Sequence, residues 1–265
     1  MRAQVGEIEL NYELRGSGPT IVLTHGIGSS GQDMAPLASL LADRFRVLTW
    51  DVRGFGQSSR PAGGYAIAQY ATDLAGLLDH LGIEQAVVGG HSMGGTITQR
   101  FILDYPRRTL AAIIMSTSSE VNAVAAERWR AQADAIEKEG FAAYTRRNRP
   151  AEQTEDFLKA HPELLEAEER RIRNNPDGRV YAQAARAVAD YNYTAELESV
   201  RIPALVLVGD KDTQTPPGGS VIISRRIANA ELHILPGITH ALPREAAPQV
   251  AALITAFLDR VLQPA

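Results

Sequence analysis

The chain has 265 residues, which suits one large α/β domain or a core domain that carries an inserted lobe. A net charge of −4 gives no electrostatic basis for binding nucleic acid, and the absence of cysteine excludes disulfides, thiolate metal sites and cysteine nucleophiles. The first residues lack the apolar run of a signal peptide, and no stretch approaches the roughly 18 apolar residues that a membrane span needs. We therefore expect a cytoplasmic protein with no membrane partner.

Strands and helices alternate over most of the chain. Apolar and β-branched runs predict strands at 9–14, 20–24, 46–50, 86–88, 111–115, 204–208 and 232–235. Apolar residues at helical spacing predict helices at 30–42, 66–81, 94–105, 219–228 and 244–262. This order predicts an α/β fold with a mostly parallel central sheet and helices on both faces.

Residues 120–197 interrupt the alternation. They contain helical stretches, many charged residues and no convincing buried strand. We interpret 120–197 as a helical cap inserted into a core formed by 1–119 and 198–265. The large aromatic residues of the cap are candidates for pocket walls, although ordinary cap core is the simpler interpretation of each: Trp129, Phe141, Tyr144, Phe157 and Tyr191.

The run Gly90-His91-Ser92-Met93-Gly94 is the central chemical signal. It follows a predicted strand and precedes a predicted helix, the context in which a serine sits on a sharp turn with its hydroxyl exposed. Side chains at positions 90 and 94 would collide, so glycine is needed there. Ser92 is the predicted nucleophile, and His91 is expected to face away from the site.

A serine hydroxyl needs a base to take its proton. His240 follows a predicted strand through a short loop at the carboxyl end of that strand. Open parallel sheets form their active sites at these strand ends. The base in turn needs a carboxylate to fix its tautomer. Asp210 and Asp212 both lie on the loop after strand 204–208, and spacing alone does not choose between them.

Two backbone N–H groups are candidates for stabilising an oxyanion. One belongs to Met93, directly after the predicted nucleophile. The other belongs to Ile27, in the run His25-Gly26-Ile27-Gly28 at the end of an early strand. We interpret the run from Asp51 to Ser58 as structural, with its glycines forming turns and with Asp51 and Arg53 serving local pairing and loop anchoring.

The motifs together resemble those of the α/β-hydrolase superfamily. They are His25-Gly26, Asp51-x-Arg53-Gly54-x-Gly56-x-Ser58, Gly90-x-Ser92-x-Gly94-Gly95, Gly209-x-x-Asp212 and Gly237-x-x-His240, in the order of that family. The resemblance implies a catalytic triad of Ser92, Asp212 and His240, because the family places the acid three residues after the glycine. We expect no cofactor or metal to be needed, because the triad supplies the nucleophile, the base and the group that orients the base, and the sequence has no convincing metal-ligand cluster.

Branches of the superfamily differ at a few positions. Dehalogenases and epoxide hydrolases use an aspartate nucleophile, which Ser92 argues against. Haloperoxidases usually carry an aromatic residue where this chain has Ile27, and carbon–carbon hydrolases often carry Trp where it has Ala241. The cap sequences Glu139-Gly140-Phe141 and Asn175-Pro176-Asp177-Gly178 look similar to those of 3-oxoadipate enol-lactonases. That branch often departs from His-Gly at the oxyanion loop, whereas this chain keeps it as His25-Gly26.

The resemblance therefore implies a serine carboxylesterase acting on a small ester through an acyl-enzyme. A lactonase of the enol-lactone type or a carbon–carbon hydrolase is the alternative enzyme, and a small-molecule receptor that retains the triad is the alternative of another class. The expected partner is a small ester or lactone. The sequence carries no signal of oligomeric state.

Overall fold

The computed structural model describes residues 1–149, 155–160 and 162–262. Its centre is an eight-stranded sheet made of β1 (Arg2–Val5), β2 (Ile8–Arg15), β3 (Thr20–Thr24), β4 (Arg46–Trp50), β5 (Ala86–His91), β6 (Thr109–Met115), β7 (Ala204–Gly209) and β8 (Ala230–Leu235). The spatial order is β1-β2-β4-β3-β5-β6-β7-β8. The pairs β1–β2 and β2–β4 are antiparallel, and all pairs from β4 across to β8 are parallel, which confirms the predicted mostly parallel sheet.

The α-helices of the described ranges are α1 (Ala35–Leu41), α2 (Ile67–His80), α3 (Met93–Asp104), α4 (Ala123–Glu139), α5 (Phe141–Arg147), α6 (Glu155–Ala160), α7 (Pro162–Asn174), α8 (Gly178–Ala189), α9 (Pro217–Arg226), α10 (Leu242–Glu245) and α11 (Ala247–Val261). Within this part of the chain, each helix is too short or too polar to cross a membrane.

Both faces of the parallel strands are buried, so their sequences read as continuous apolar runs. Every residue of β3 is buried. Because neighbouring side chains of a strand point to opposite faces, Val22 packs into one apolar cluster, while Ile21 and Leu23 pack into a second cluster. The sheet therefore forms the middle layer, with helices covering each side.

The predicted helix at 244–262 is in fact two helices, α10 and α11. The break lies at Ala246, whose φ of −123° is not helical. Pro248 is the second residue of α11, and it has no N–H to donate to the carbonyl of Arg244. A continuous helix through this point would lose that hydrogen bond and crowd the carbonyl.

The segment 120–197, called the cap segment below, contributes α4 to α8 between β6 and β7. Asn122 accepts a hydrogen bond from the Ala125 N–H at the start of α4, and Gly140, with φ of +83°, separates α4 from α5. A bridge between Glu120 and Asn192 joins the two ends of the segment. The division of the chain into a core and a cap domain at these residues stays a prediction.

Candidate active site

Ser92 lies on a sharp turn between β5 and α3. Its φ is 56° and its ψ is −120°, a conformation that is strained for a residue with a side chain. A Cβ atom on Gly90 would lie 2.2 Å from the Gly94 carbonyl oxygen, and one on Gly94 would lie 2.2 Å from that of Thr24. The predicted collision at positions 90 and 94 is therefore present. Glycine at both positions lets the turn hold Ser92 at the carboxyl end of β5.

Asp212 and His240 are in direct contact. His240 Nδ1 lies 2.8 Å from Asp212 Oδ2, and the Asp212 side chain is buried. Burial by itself raises the pKa of this carboxyl group, but hydrogen bonds from His240 and Thr215 outweigh it and hold the pKa below its usual value. An ionised Asp212 keeps the proton of His240 on Nδ1, which leaves Nε2 free to accept one.

The loop after β7 supplies the remaining partners of the carboxylate. The Thr215 and Gln214 N–H groups donate to Asp212 Oδ1 at 2.8 and 3.0 Å, and the Thr215 hydroxyl donates to Oδ2 at 2.8 Å. Together these bonds fix the carboxylate against the imidazole of His240.

Asp210 has a different place. Its Oδ1 accepts a hydrogen bond of 2.7 Å from the Gly237 N–H, in the turn that follows β8. It is exposed, whereas Asp212 is buried. Of the two aspartates that the sequence leaves open, the structure brings only Asp212 to His240.

His25 sets the orientation of the peptide that carries the Ile27 N–H. Its Nε2 accepts from the Val52 N–H at 3.0 Å, so its proton is on Nδ1 and is donated to the Gly26 carbonyl at 2.7 Å. Burial lowers the pKa of His25, which keeps the ring neutral and able to accept. In a trans peptide the C=O and N–H point in opposite directions, so the Ile27 N–H points away from His25.

The loop that carries Ile27 packs directly against the serine. A Cβ atom on Gly26 would lie 3.2 Å from the Cβ of Ser92. The Met93 N–H lies at the first position of α3, where an N–H has no acceptor within the helix. Both predicted oxyanion donors therefore belong to backbone adjoining Ser92.

Asn175 of the cap segment supports the same loop, a contact that the sequence analysis missed. Its buried side-chain Nδ2 donates to the Gly28 carbonyl at 2.8 Å and to the Arg171 carbonyl at 2.7 Å. In the sequence, Asn175-Pro176 stands out only as part of the family resemblance. A buried amide needs hydrogen-bond partners, but the sequence gives no sign of which ones it finds.

The expectation that His91 faces away from the site is wrong. Its Nε2 donates to the His240 carbonyl oxygen at 2.6 Å, and the two rings lie 4.8 Å apart between centroids. Burial, followed by the charge of His240, lowers the pKa of His91 to about 3, so the ring stays neutral. β5 ends at His91, and the loop that carries His240 passes over this end of the strand.

The Asp51 to Ser58 run is structural, as predicted, with one difference in pairing. Asp51 accepts from the Gly31 and Gln57 N–H groups at 2.7 and 2.8 Å, and Ser58 is buried. Arg53 pairs with Asp73 of α2 rather than within its own loop, with two contacts of 2.6 Å. This pair fastens the loop to the helix below it.

A cavity of about 760 Å³ lies between the carboxyl ends of the parallel strands and the cap segment. Ser92, His91, His240 and the loop at Gly26–Gly28 form its floor. Of the cap aromatics, Trp129 and Tyr144 line it, whereas Phe141 and Tyr191 are buried in the cap core; the side chain of Phe157 lies outside the described part of the chain. The sequence did not single out Tyr181, which also lines the cavity.

Comparisons with known proteins agree with this architecture. A 3-oxoadipate enol-lactonase of Acinetobacter baylyi is 28% identical over 86% of this chain and 85% of its own. The structure of a thermophilic esterase from Thermogutta terrifontis, with malate bound, has a TM-score of 0.86 at 30% identity and covers 98% of this chain and 99% of its own. That of the enol-lactonase from Burkholderia xenovorans LB400 has a TM-score of 0.87 at 28% identity and covers 98% and 100%.

Residues 19–245 match the family model described as the alpha/beta hydrolase fold. This match spans most of the chain and includes Ser92, Asp212 and His240. The chain belongs to the α/β-hydrolase fold family.

Proposed function

We propose that the protein hydrolyses small carboxylic esters through an acyl-enzyme formed on Ser92. The observation that carries this proposal is the position of the strained Ser92 turn in one cavity with His240, whose Nδ1 lies 2.8 Å from the buried Asp212. A nucleophile, a base and a group that orients the base are the parts that acyl transfer needs.

The proposed reaction begins when Ser92 Oγ attacks the ester carbonyl and His240 Nε2 takes the hydroxyl proton. Asp212 stabilises the imidazolium that forms. The N–H groups of Met93 and Ile27 stabilise the oxyanion of the tetrahedral intermediate. The intermediate then collapses, the carbon–oxygen bond to the alcohol breaks, and His240 returns its proton to the departing alcohol.

Water completes the cycle. His240 accepts a proton from the water as it attacks the acyl-enzyme, and a second oxyanion is stabilised by the same two N–H groups. Collapse releases the carboxylic acid and returns the proton to Ser92. The cap segment, which lines the cavity with Trp129 and Tyr144, selects the acyl and alcohol groups.

A lactonase is the second candidate, because two of the similar proteins are named enol-lactonases. The chemistry is the same, except that the leaving alcohol remains attached to the acyl group. A panel of short linear esters and lactones of matched carbon number distinguishes the two by kcat/KM.

Loss of ester turnover in Ser92→Ala, with the fold retained by circular dichroism, supports the proposal, and unchanged turnover in that variant overturns it.

A further inference from the structure

The cavity has an excess of positive charge. Its lining contains five arginines, Arg128, Arg149, Arg170, Arg171 and Arg244. In the part of the chain that the structure describes, the acidic residues of the lining are Asp33 and Glu168. A cleft with this imbalance raises the local concentration of anions.

Both acidic residues are already engaged. Glu168 forms a two-pronged ion pair with Arg149, whose Nε lies 2.6 Å from Glu168 Oε2. Asp33 accepts hydrogen bonds from the Ser29 hydroxyl and the Ser30 N–H, and Arg170 lies 3.5 Å from its Oδ1. The ion pairs of these carboxylates are therefore with Arg149 and Arg170, and Glu168 acts on Arg171 only through its charge at longer range.

Arg171 is the arginine best placed to meet a substrate. Its guanidinium lies over the Phe141 ring at 5.3 Å, and its Nη2 is 3.5 Å from the Tyr181 hydroxyl. Among the side chains that the structure describes, no carboxylate forms an ion pair with it. The cation–π contact with Phe141 positions the planar group without neutralising its charge.

The same arginine lies next to the loop that carries Ile27. Its Nε is 3.4 Å from the place that a Cβ of Gly28 would occupy. The Asn175 amide that bonds Gly28 also bonds the Arg171 carbonyl, so the backbone at Arg171 and the loop are fastened by one side chain. A group bound by Arg171 is therefore held at a fixed distance from the reacting centre.

We propose, on the basis of the proposed function, that the substrate carries a carboxylate besides its scissile ester and that Arg171 binds that carboxylate. A guanidinium can donate two parallel hydrogen bonds to a carboxylate. The unpaired charge in the cavity is then a specificity element, and neutral esters of the same shape are poorer substrates.

The test uses two anionic esters and their neutral isosteres, followed by titration of the acid released. Monoethyl glutarate carries the carboxylate on the acyl side, and ethyl 5-methylhexanoate replaces it with an isopropyl group. The corresponding pair on the alcohol side is 3-acetoxypropanoate and 3-methylbutyl acetate. We expect kcat/KM to favour the anionic member of at least one pair by about tenfold or more, the range of a charge-assisted hydrogen bond.

Arg171→Met should abolish that preference, because only the anionic member of each pair makes the charge-assisted contact. Arg173→Met is the matched control, because Arg173 lies on the same helix, is exposed and does not line the cavity. Equal turnover of both members of both pairs, or a preference that survives in Arg171→Met, overturns the proposal.

Binding of glutarate, measured by calorimetry at constant ionic strength, separates this proposal from the proposed function. Glutarate binding that is lost in Arg171→Met and kept in Arg173→Met supports the anion site even if no ester is hydrolysed, a result that would refute the hydrolysis. Ser92-dependent turnover without any anion preference has the opposite meaning: the hydrolysis stands and the anion site is overturned.

Discussion

Asn175 and Gly28 lie 147 positions apart in the chain, yet the Asn175 side chain donates a 2.8 Å hydrogen bond to the Gly28 carbonyl. The bond joins the cap segment to the loop that carries the Ile27 N–H. The placement of the cap and the geometry of the proposed oxyanion site are therefore linked through one buried amide.

Asn175→Ala should lower kcat for ester hydrolysis more than it changes KM. Removal of an oxyanion donor costs about a hundredfold to a thousandfold, and loss of a support for that donor should cost about tenfold to a hundredfold. Steady-state kinetics on a p-nitrophenyl ester give the two constants separately. Asn174→Ala is the control, and a lowered melting temperature with unchanged kcat would show that Asn175 only supports the fold.

Asp212→Asn should reduce kcat by up to about 10⁴, because an amide can hold the wrong tautomer of His240. Asp210→Asn should have little effect, since an amide oxygen can still accept the Gly237 N–H. Rates of the two purified variants on the same ester decide the matter. A larger loss in Asp210→Asn would contradict the assignment of the acid.

Stability should fall as the pH drops below about 6.5, because the lowered pKa values of His25 and His91 disfavour protonation in the folded state. In this range these two histidines bind protons in the unfolded chain and not in the folded chain. For each such group, the free energy of unfolding changes by up to about 1.4 kcal/mol per pH unit. This slope vanishes above the pKa of the group in the unfolded chain.

Urea unfolding of His91→Gln at several pH values measures that slope directly. Glutamine can still donate to the His240 carbonyl but does not titrate, so the variant should lose less stability on acidification than the wild type does. A slope unchanged by His91→Gln would show that His91 titrates alike in both states.

Arg53→Met should destabilise the fold by about 3–5 kcal/mol, since it leaves the buried Asp73 carboxylate without its partner. Only 12% of the Arg53 side chain and 3% of the Asp73 side chain are exposed. Breaking the exposed pair of Arg44 and Asp259 by Arg44→Met should have a much smaller effect, because solvent already screens these two charges. Chemical denaturation of both variants supplies the comparison, and equal losses would contradict the structural role of Arg53.

The sequence predicted the parallel sheet because buried strands and amphipathic helices have distinct periods. It also predicted that Ser92, His240 and the loop after β7 meet, since all three follow the carboxyl ends of parallel strands. The direction of His91 and the reach of Asn175 could not be predicted. Each depends on where a side chain ends relative to a backbone far away in the chain, and no local pattern encodes that distance.

The most direct test of the central claim is the site at which a fluorophosphonate reacts with the folded protein. The reagent phosphonylates an activated serine with loss of fluoride, so mass spectrometry of the digested protein should find it on the peptide that contains Ser92, and Ser92→Ala should remain unlabelled. Ser58 and Ser116 are buried and should not react. Labelling at either of those serines, or labelling that persists in Ser92→Ala, would contradict the proposed mechanism.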